Sequence, residues 1–308
     1  MTYVKLLRMF AATSALVVLG VAAVVRLHPT SLILVAPGVT SRSPYCSRFQ
    51  ASLDGRVKLR QAARTDELLR ASHLVRRDAG LTLWSTPQGE FWIPDGDDHV
   101  LPLLLAQTER NIYGEDQWAV QPGDVVLDVG AYIGTWTKEA LRRGAAKVVA
   151  IEPSPDSVEC LKRNLSAEIA AGKVVVYPKG IWDSEGALTL FANTSSGVGN
   201  SFVEDSGNQG KLDAIPVTTI DRLAAELSLP KIDFIKADVK GATQRLLRGA
   251  TAVLQRDRPR IALSTEEPAD DVSAIAALAR RIQPAYQMKC GPCLLDQKEI
   301  YTDVVFFR

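Results

Sequence analysis

The sequence Val-Val-Leu-Asp-Val-Gly-Ala-Tyr-Ile-Gly-Thr, residues 125–135, decides the fold of this chain. An apolar strand ends at Asp128, and Gly130 and Gly134 then lead into a helix predicted from Thr135 to Arg143. Glycine lets the backbone turn tightly and approach a ligand closely. Ligands of open α/β sheets bind at the carboxyl ends of such strands. The stretch therefore predicts a parallel sheet with a ligand site at this turn.

Strands and helices alternate regularly after this turn. Further strands are predicted at 147–152, 174–177, 232–238, 260–265 and 303–307, and further helices at 220–227, 242–254 and 272–282. Another helix is predicted to begin at Ser154-Pro155. Short buried strands that alternate with helices predict a doubly wound, mainly parallel sheet, here with an antiparallel last strand. Upstream, residues 81–93 predict a hairpin and residues 100–111 a helix. Residues 192–210 are rich in Gly, Asn and Ser and predict a long loop.

Two acids at the turn indicate the class of cofactor. Asp128 stands where a dinucleotide site has its first glycine, and a carboxylate there would repel a pyrophosphate. The same carboxylate suits S-adenosylmethionine, which carries a sulfonium and an ammonium and no phosphate. Glu152 ends the next strand, where it can accept hydrogen bonds from ribose hydroxyls. The pattern favours S-adenosylmethionine over NAD and over a turn that binds no ligand.

The amino-terminal part differs from the rest of the chain. Met9–Val25 carries no charged residue, and as a helix it would span about 25 Å of a hydrocarbon core about 30 Å thick. We expect residues 1–30 to be a membrane anchor, with a cleaved signal peptide as the alternative. Residues 31–80 are expected to form a basic connector, since residues 26–80 have ten Lys and Arg against four Asp and Glu. Residues 81–308 form the predicted catalytic domain.

Composition excludes several classes of protein. The 308 residues carry 36 Lys and Arg against 35 Asp and Glu, which argues against a nucleic-acid surface covering the whole chain. The three histidines have no metal-ligand spacing, so we expect no histidine metal site. With four cysteines, we expect no disulfide framework. Cys290-Gly291-Pro292-Cys293 is similar to a redox motif, but near the end of the chain a coincidence or a local disulfide is favoured.

Several separated segments, in order, resemble the FkbM-type methyltransferases from about Ile112 to the carboxyl terminus. The matching segments are 112–115, 122–134, 151–153, 161–164, 218–221, 233–242 and 247–250. The resemblance implies a Rossmann-like fold, S-adenosylmethionine as cofactor and O-methylation of sugar or natural-product hydroxyls. The implied cofactor contacts are Asp128, Gly130, Ala131 and Gly134 around the methionine part, Glu152 at the ribose, Asp183 near the adenine, and Tyr113 and Glu115 at the cleft mouth.

The sequence departs from the family after the predicted strand at 232–238. The family usually reads Asp-Val-Glu-Gly-Ala-Glu where this chain has Asp238-Val239-Lys240-Gly241-Ala242-Thr243. Asp238 is the expected general base for a hydroxyl acceptor, and a helix cap or an indirect cofactor contact is its alternative role. Lys240 and Thr243 support a rival interpretation, a non-catalytic binding or scaffold protein. Because the cofactor is cytosolic, we expect the catalytic domain to face the cytoplasm, with lipid-linked or envelope glycans as acceptors.

Overall fold

The structure, a computed structural model, describes residues 29–34, 36–193, 200–203, 208–267 and 270–308. Its strands are β1 (Thr40–Ser41), β2 (His73–Asp78), β3 (Leu81–Thr86), β4 (Gly89–Pro94), β5 (Val125–Val129), β6 (Lys147–Ile151), β7 (Val174–Tyr177), β8 (Gly180–Ile181), β9 (Gly186–Asn193), β10 (Asn208–Thr218), β11 (Phe234–Ala237), β12 (Arg260–Ser264), β13 (Met288–Cys290), β14 (Cys293–Asp296), β15 (Glu299–Thr302) and β16 (Val304–Phe307). Its α-helices are α1 (Arg48–Ala71), α2 (Leu101–Arg110), α3 (Thr135–Arg142), α4 (Pro155–Asn164), α5 (Ser166–Ala170), α6 (Ile220–Glu226), α7 (Thr243–Arg248), α8 (Thr251–Asp257) and α9 (Val272–Ile282).

The main sheet has seven strands in the order β13-β16-β12-β11-β5-β6-β7. Strands β12, β11, β5, β6 and β7 pair in parallel, and β16 pairs antiparallel with β12 and β13. This arrangement confirms the predicted doubly wound sheet with its antiparallel last strand. The chain winds outward in both directions from β5, so the crevice between β5 and β11 is the expected ligand site.

The apolar strands of this sheet are covered on both faces. Successive side chains of a strand point to opposite faces. Val126 accordingly packs in the cluster that contains residues of α3, such as Ala140, whereas Leu127 packs in the cluster that contains residues of α6 to α9, such as Leu246 and Ile275. Burial on both sides explains why these strands are continuous apolar runs.

A front lobe formed by α1, the β2–β4 sheet and α2 packs against the turn after β5. Pairing of β3 with β4 confirms the hairpin predicted at 81–93. The hydrophobic core of the front lobe includes Ile133, which belongs to the turn after β5. Asn164 at the end of α4 joins the two parts, since its side-chain amide donates to the backbone oxygens of Trp92 and Ile133, both at 2.9 Å. The front lobe therefore holds the outer side of the turn after β5 in place.

The predicted anchor segment, Met9–Val25, lies outside the described residues. Within the part of the chain that the structure describes, no helix has the length and apolar character needed to cross a membrane. Residues 31–80, predicted as a connector, contain β1, the 24-residue helix α1 and β2. Helix α1 packs against α2, which precedes the main sheet in the chain, and against β14 near the carboxyl terminus. These contacts join the segment to the rest of the fold.

The cysteines correct two expectations from the sequence. Cys46 and Cys293 form a disulfide, with their Cα atoms 5.6 Å apart, whereas Cys160 and Cys290 remain thiols. Of the two interpretations of Cys290 and Cys293, the local disulfide was therefore wrong and the coincidence is left; the expectation that no disulfide holds the fold together was also wrong. The cause is a long-range strand pairing: β1 runs parallel to β15 and brings Cys46 to the start of β14.

The range predicted as a loop, 192–210, is also corrected. Strands β9 and β10 pair antiparallel and extend into this range at both ends, with Asn208 opposite Asn193. Residues 200–203 lie beside them, where Ser201 forms an isolated bridge with Phe191. Asn and Ser can occupy strands when pairing supplies the backbone hydrogen bonds, so composition alone misassigned them.

Candidate active site

A cleft opens where the carboxyl ends of β5 and β11 lie side by side. Gly130 follows β5 with a φ of +74°, and a Cβ atom on it would lie 2.1 Å from the backbone oxygen of Asp238. The Gly130 amide donates to the backbone oxygen of Ile151 at 3.0 Å, at the end of β6. A glycine is therefore required where these three strand ends converge, as the sequence pattern predicted.

The cleft wall combines apolar side chains with a smaller set of polar groups. Its apolar and aromatic residues are Leu104, Ile112, Tyr113, Val129, Ala131, Tyr132, Trp136, Ile151, Pro153, Ile181, Leu190, Phe202, Val239 and Ala242. Its polar and charged residues are Gln107, Thr108, Thr135, Glu152, Lys179, Asn200, Ser201, Lys236 and Asp238. An apolar cleft with a few convergent polar groups is the usual form of a small-molecule site.

Glu152 lies in the cleft wall just after β6. Its two carboxylate oxygens accept the backbone amides of Tyr132 and Ser154, each at 2.9 Å. Burial raises the pKa of Glu152 to about 7, although these two hydrogen bonds act in the opposite direction. Each carboxylate oxygen has a second lone pair, so Glu152 can still accept hydrogen bonds from ligand hydroxyls.

Asp128 does not line the cleft. Its fully buried carboxylate accepts a hydrogen bond from Thr137 Oγ1 at 2.6 Å and lies 2.9 Å from Nζ of Lys236. Lys236 is the register partner of Asp128 on β11, and its ammonium also donates to the backbone oxygen of Gly130 at 2.7 Å. Asp128 is therefore linked to the glycine turn through Lys236.

Asp238 is the second carboxylate in the cleft wall. Tyr113 Oη donates to Asp238 Oδ2 at 3.1 Å, and the Tyr113 ring packs edge-on against Trp136. Burial alone would raise the pKa of Asp238, but the charges of Lys240 and Lys236 outweigh burial and lower it below its ordinary value. Asp238 is therefore ionised at neutral pH and can accept a proton at the cleft wall.

The other predicted site residues divide into two groups. Ala131 lines the cleft, whereas Gly134 is the N-cap of α3 and lies close to the side chains of Leu161 and Leu165. Asp183 lies outside the cleft wall in an ion pair with Arg245 at 2.7 Å. Glu115 also lies outside it, with 75% of its side chain exposed. The structure thus brings Tyr113, Gly130, Ala131, Glu152 and Asp238 together in one cleft.

The sequence analysis missed several cleft residues, among them Lys236, Trp136 and Phe202. Lys236 carried a usable signal, because a lysine in the middle of a buried strand must find a counter-charge. Trp136 stacks on Phe234 of β11, a contact that depends on tertiary packing. Phe202 lies in the range assigned to a loop. Across the described ranges, no group of three or more His, Cys, Asp or Glu side chains is arranged to hold a metal ion.

Comparison with known proteins identifies a family for this chain. The family model of the methyltransferase FkbM domain matches residues 128–282, half of the chain. The match begins at Asp128 beside the glycine turn and ends with α9, so it includes Gly130, Glu152 and Asp238.

Two curated proteins are similar to parts of the chain. The hexuronic acid methyltransferase AglP of Haloferax volcanii is 29% identical over 160 residues, which cover 52% of this chain and 59% of AglP. The AMB antimetabolite synthetase AmbE of Pseudomonas aeruginosa is 30% identical over 229 residues, which cover 59% of this chain and 10% of AmbE. The chain therefore spans less than two thirds of the length of either relative. Among solved structures, a methyltransferase FkbM from Methylobacillus flagellatus has a TM-score of 0.46 at 16% identity, covering 82% of this chain and 60% of that one.

Proposed function

The chain belongs to the FkbM methyltransferase family, and from this premise we propose that it is an O-methyltransferase acting on a hydroxyl of a sugar, glycolipid or natural-product-like acceptor. The cofactor of the family is S-adenosylmethionine. The similarity to a hexuronic acid methyltransferase supports a sugar acceptor. The family match favours neither the non-catalytic alternative nor an NAD-linked oxidoreductase.

One observation carries the proposal: two carboxylates with different environments face the same cleft beside a close-packed glycine turn. Glu152 is held by backbone amides and has a raised pKa, whereas Asp238 lies near two lysines and has a lowered pKa. The absence of a side chain at Gly130 lets the end of β5 pack against the Asp238 backbone, and Gly130 itself lines the cleft. These groups suit a cofactor that combines a ribose, an aromatic base and a cationic centre.

The mechanism requires alignment more than covalent chemistry from the protein. S-adenosylmethionine supplies a methyl group on a positively charged sulfur. Glu152 would accept hydrogen bonds from the ribose hydroxyls of the bound cofactor, and Lys236 fixes the glycine turn through Asp128 and the Gly130 oxygen. Asp238 accepts the proton that leaves the acceptor hydroxyl, while Tyr113 holds its other oxygen.

The proposed function is tested by methyl transfer from S-adenosylmethionine to methyl glucoside, methyl glucuronide and a total glycolipid extract, read by mass spectrometry as the gain of one CH₂. We expect a methylated product with the wild type. We expect Asp238→Asn to be about 100-fold slower or worse, because it cannot take the proton. Asp296→Asn, an exposed carboxylate paired with Lys58, is the control with unchanged transfer. A wild type that binds the cofactor but methylates none of these acceptors supports the non-catalytic alternative instead.

The affinity for S-adenosylmethionine is expected to rise with pH because of Glu152. With a pKa of about 7, the Glu152 carboxyl group is mostly protonated below pH 7 and mostly ionised above it. Only the ionised form can accept hydrogen bonds from the ribose hydroxyls at both oxygens. If the ionised form alone binds, the dissociation constant falls about tenfold between pH 6 and pH 8. Calorimetry at both pH values measures this change, and Glu152→Gln should remove it. Glu159→Gln is the control, because Glu159 is an exposed carboxylate paired with Arg163. Any pH effect that comes from the cofactor's own titratable groups is present in this variant too, and its dissociation constant should still fall about tenfold between pH 6 and pH 8. An unchanged pH dependence in Glu152→Gln would contradict the assignment.

We propose in addition that residues 1–30 anchor the chain in a membrane with the catalytic domain on the cytoplasmic side. The charge-free run Met9–Val25 supports this proposal. So do Leu32, Phe49 and Leu53, which are 53%, 63% and 54% exposed just downstream of that run. An anchored enzyme would have ready access to lipid-linked glycans. A periplasmic-type reporter that is active when fused after residue 308 would overturn the orientation.

A further inference from the structure

Lys240 stands in a tightly held turn directly after β11. Its φ of +39° and that of Gly241, +82°, turn the backbone sharply. The Gly241 amide donates to Asp270 Oδ2 at 3.1 Å, and Ser201 Oγ donates to the Lys240 backbone oxygen at 2.8 Å. The backbone at the position where the family has a glutamate is therefore fixed from two sides.

The Lys240 ammonium lies among three carboxylates. Its Nζ is 3.6 Å from Asp238 Oδ1, 3.6 Å from Glu267 Oε1 and 3.9 Å from Glu266 Oε2, and 15% of the side chain is exposed. Three acids around one lysine leave this cluster with a net negative charge. The ammonium is thus satisfied internally and is poorly placed to attract an anionic acceptor.

Asp238 connects this cluster to the cleft. Its Oδ2 accepts the Tyr113 hydroxyl, whereas among the described residues its Oδ1 has no hydrogen-bond donor within bonding distance and faces the Lys240 ammonium. The titratable groups that act on this carboxylate and on its partners Tyr113 and Lys240 are Lys236, Asp128, Glu266 and Glu267. The other departure from the family, Thr243, is buried and hydrogen-bonded to Asp270, so it does not reach this carboxylate.

We propose that Lys240 is a positioning residue for Asp238: as its counter-ion, Lys240 holds the carboxylate at the cleft wall between the ammonium and the Tyr113 hydroxyl. This inference rests on the proposed function and specifies how the chain works with a lysine where its family has an acid. Without Lys240, Asp238 would face Glu266 and Glu267 with only the charge of Lys236 to compensate it. An opposite charge at such a distance typically lowers a carboxyl pKa by one or more units.

The test is the titration of Asp238 in the full chain, followed by ¹³C NMR of protein labelled at aspartate carboxyl carbons. The Asp238 signal is identified by its loss in Asp238→Asn. We expect Lys240→Met to raise the midpoint by about one unit or more, and Lys240→Arg to keep it near the wild-type value. Lys231→Met is the matched control, because Lys231 pairs with Asp233 at the same sequence spacing on an exposed surface and should leave the Asp238 midpoint unchanged. An unshifted midpoint in Lys240→Met, or an equal shift in Lys240→Arg, would overturn the positioning role.

Methyl transfer then separates this inference from the proposed function. If transfer occurs at saturating cofactor, the acid limb of its pH profile should move upward in Lys240→Met, so that the rate at a pH below the Asp238 midpoint falls about tenfold for a one-unit shift while the rate at pH 8 stays unchanged. Cofactor affinity should stay within about twofold, because Lys240 does not line the cleft. If the wild type transfers no methyl group but the midpoint shifts, the proposed function fails and the positioning role stands.

Discussion

Replacing Gly130 by alanine is expected to abolish cofactor binding and to destabilise the fold. The added Cβ would lie 2.1 Å from the backbone oxygen of Asp238 and 3.1 Å from its carbonyl carbon, at a φ of +74°. Because these atoms belong to the backbone, relief requires β5 and β11 to separate at their carboxyl ends. We expect the dissociation constant for S-adenosylmethionine to rise more than about 100-fold and the free energy of unfolding to fall by about 3 kcal/mol.

Gly172→Ala is the matched control for this substitution. Gly172 has nearly the same φ, +70°, but a Cβ atom on it would meet no atom of the described residues within 4 Å apart from its chain neighbours. Gly172→Ala therefore measures only the cost of placing a residue with a Cβ atom in the left-handed conformation, about 1 kcal/mol of unfolding free energy. It should leave the cofactor affinity unchanged. Calorimetry and thermal unfolding measure both effects. Equal losses of cofactor affinity and of unfolding free energy in Gly130→Ala and Gly172→Ala would contradict the close approach of β5 and β11 at their carboxyl ends.

The glycine turn shows what the sequence could predict. Its strand, its two glycines and the following helix are contiguous, so local patterns locate the crevice and also Glu152, one strand further on. Asp238 was found in the same way, at the end of a predicted strand. These residues face the cleft because the carboxyl ends of neighbouring parallel strands meet at one edge of the sheet.

Asp128 shows why the remaining site could not be predicted. Its charge indicated a cationic cofactor, in agreement with the family match, yet the structure pairs the carboxylate with Lys236. That pairing depends on the register of β11 against β5, between residues more than 100 positions apart. A single sequence does not give this register, so direct contact and indirect positioning could not be distinguished. The contacts of Lys240 with Glu266 and Glu267 depend on tertiary packing in the same way.

Loss of the Cys46–Cys293 disulfide is expected to lower the free energy of unfolding by a large amount. The bond joins residues 247 positions apart and links the segment before α1 to the hairpin β14–β15. Cross-linking so long a loop restricts the unfolded chain and contributes about 5.5 kcal/mol in the chain-entropy description. Cys46→Ser should therefore lower the unfolding temperature by about 10 °C. Cys290→Ser, at a thiol outside the disulfide, should change it much less.

Reductant provides the decisive comparison. It should lower the unfolding temperature of the wild type to that of Cys46→Ser and leave the variant unchanged, while alkylation of denatured, unreduced wild type should label Cys160 and Cys290. Labelling of all four cysteines, with no response to reductant, would contradict the bond. The same labelling in intact cells tests the proposed orientation, since the cytosol keeps most thiols reduced. A cytoplasmic catalytic domain should therefore carry Cys46 and Cys293 as thiols in cells and form the disulfide after extraction, whereas a disulfide already present in cells indicates an oxidising compartment.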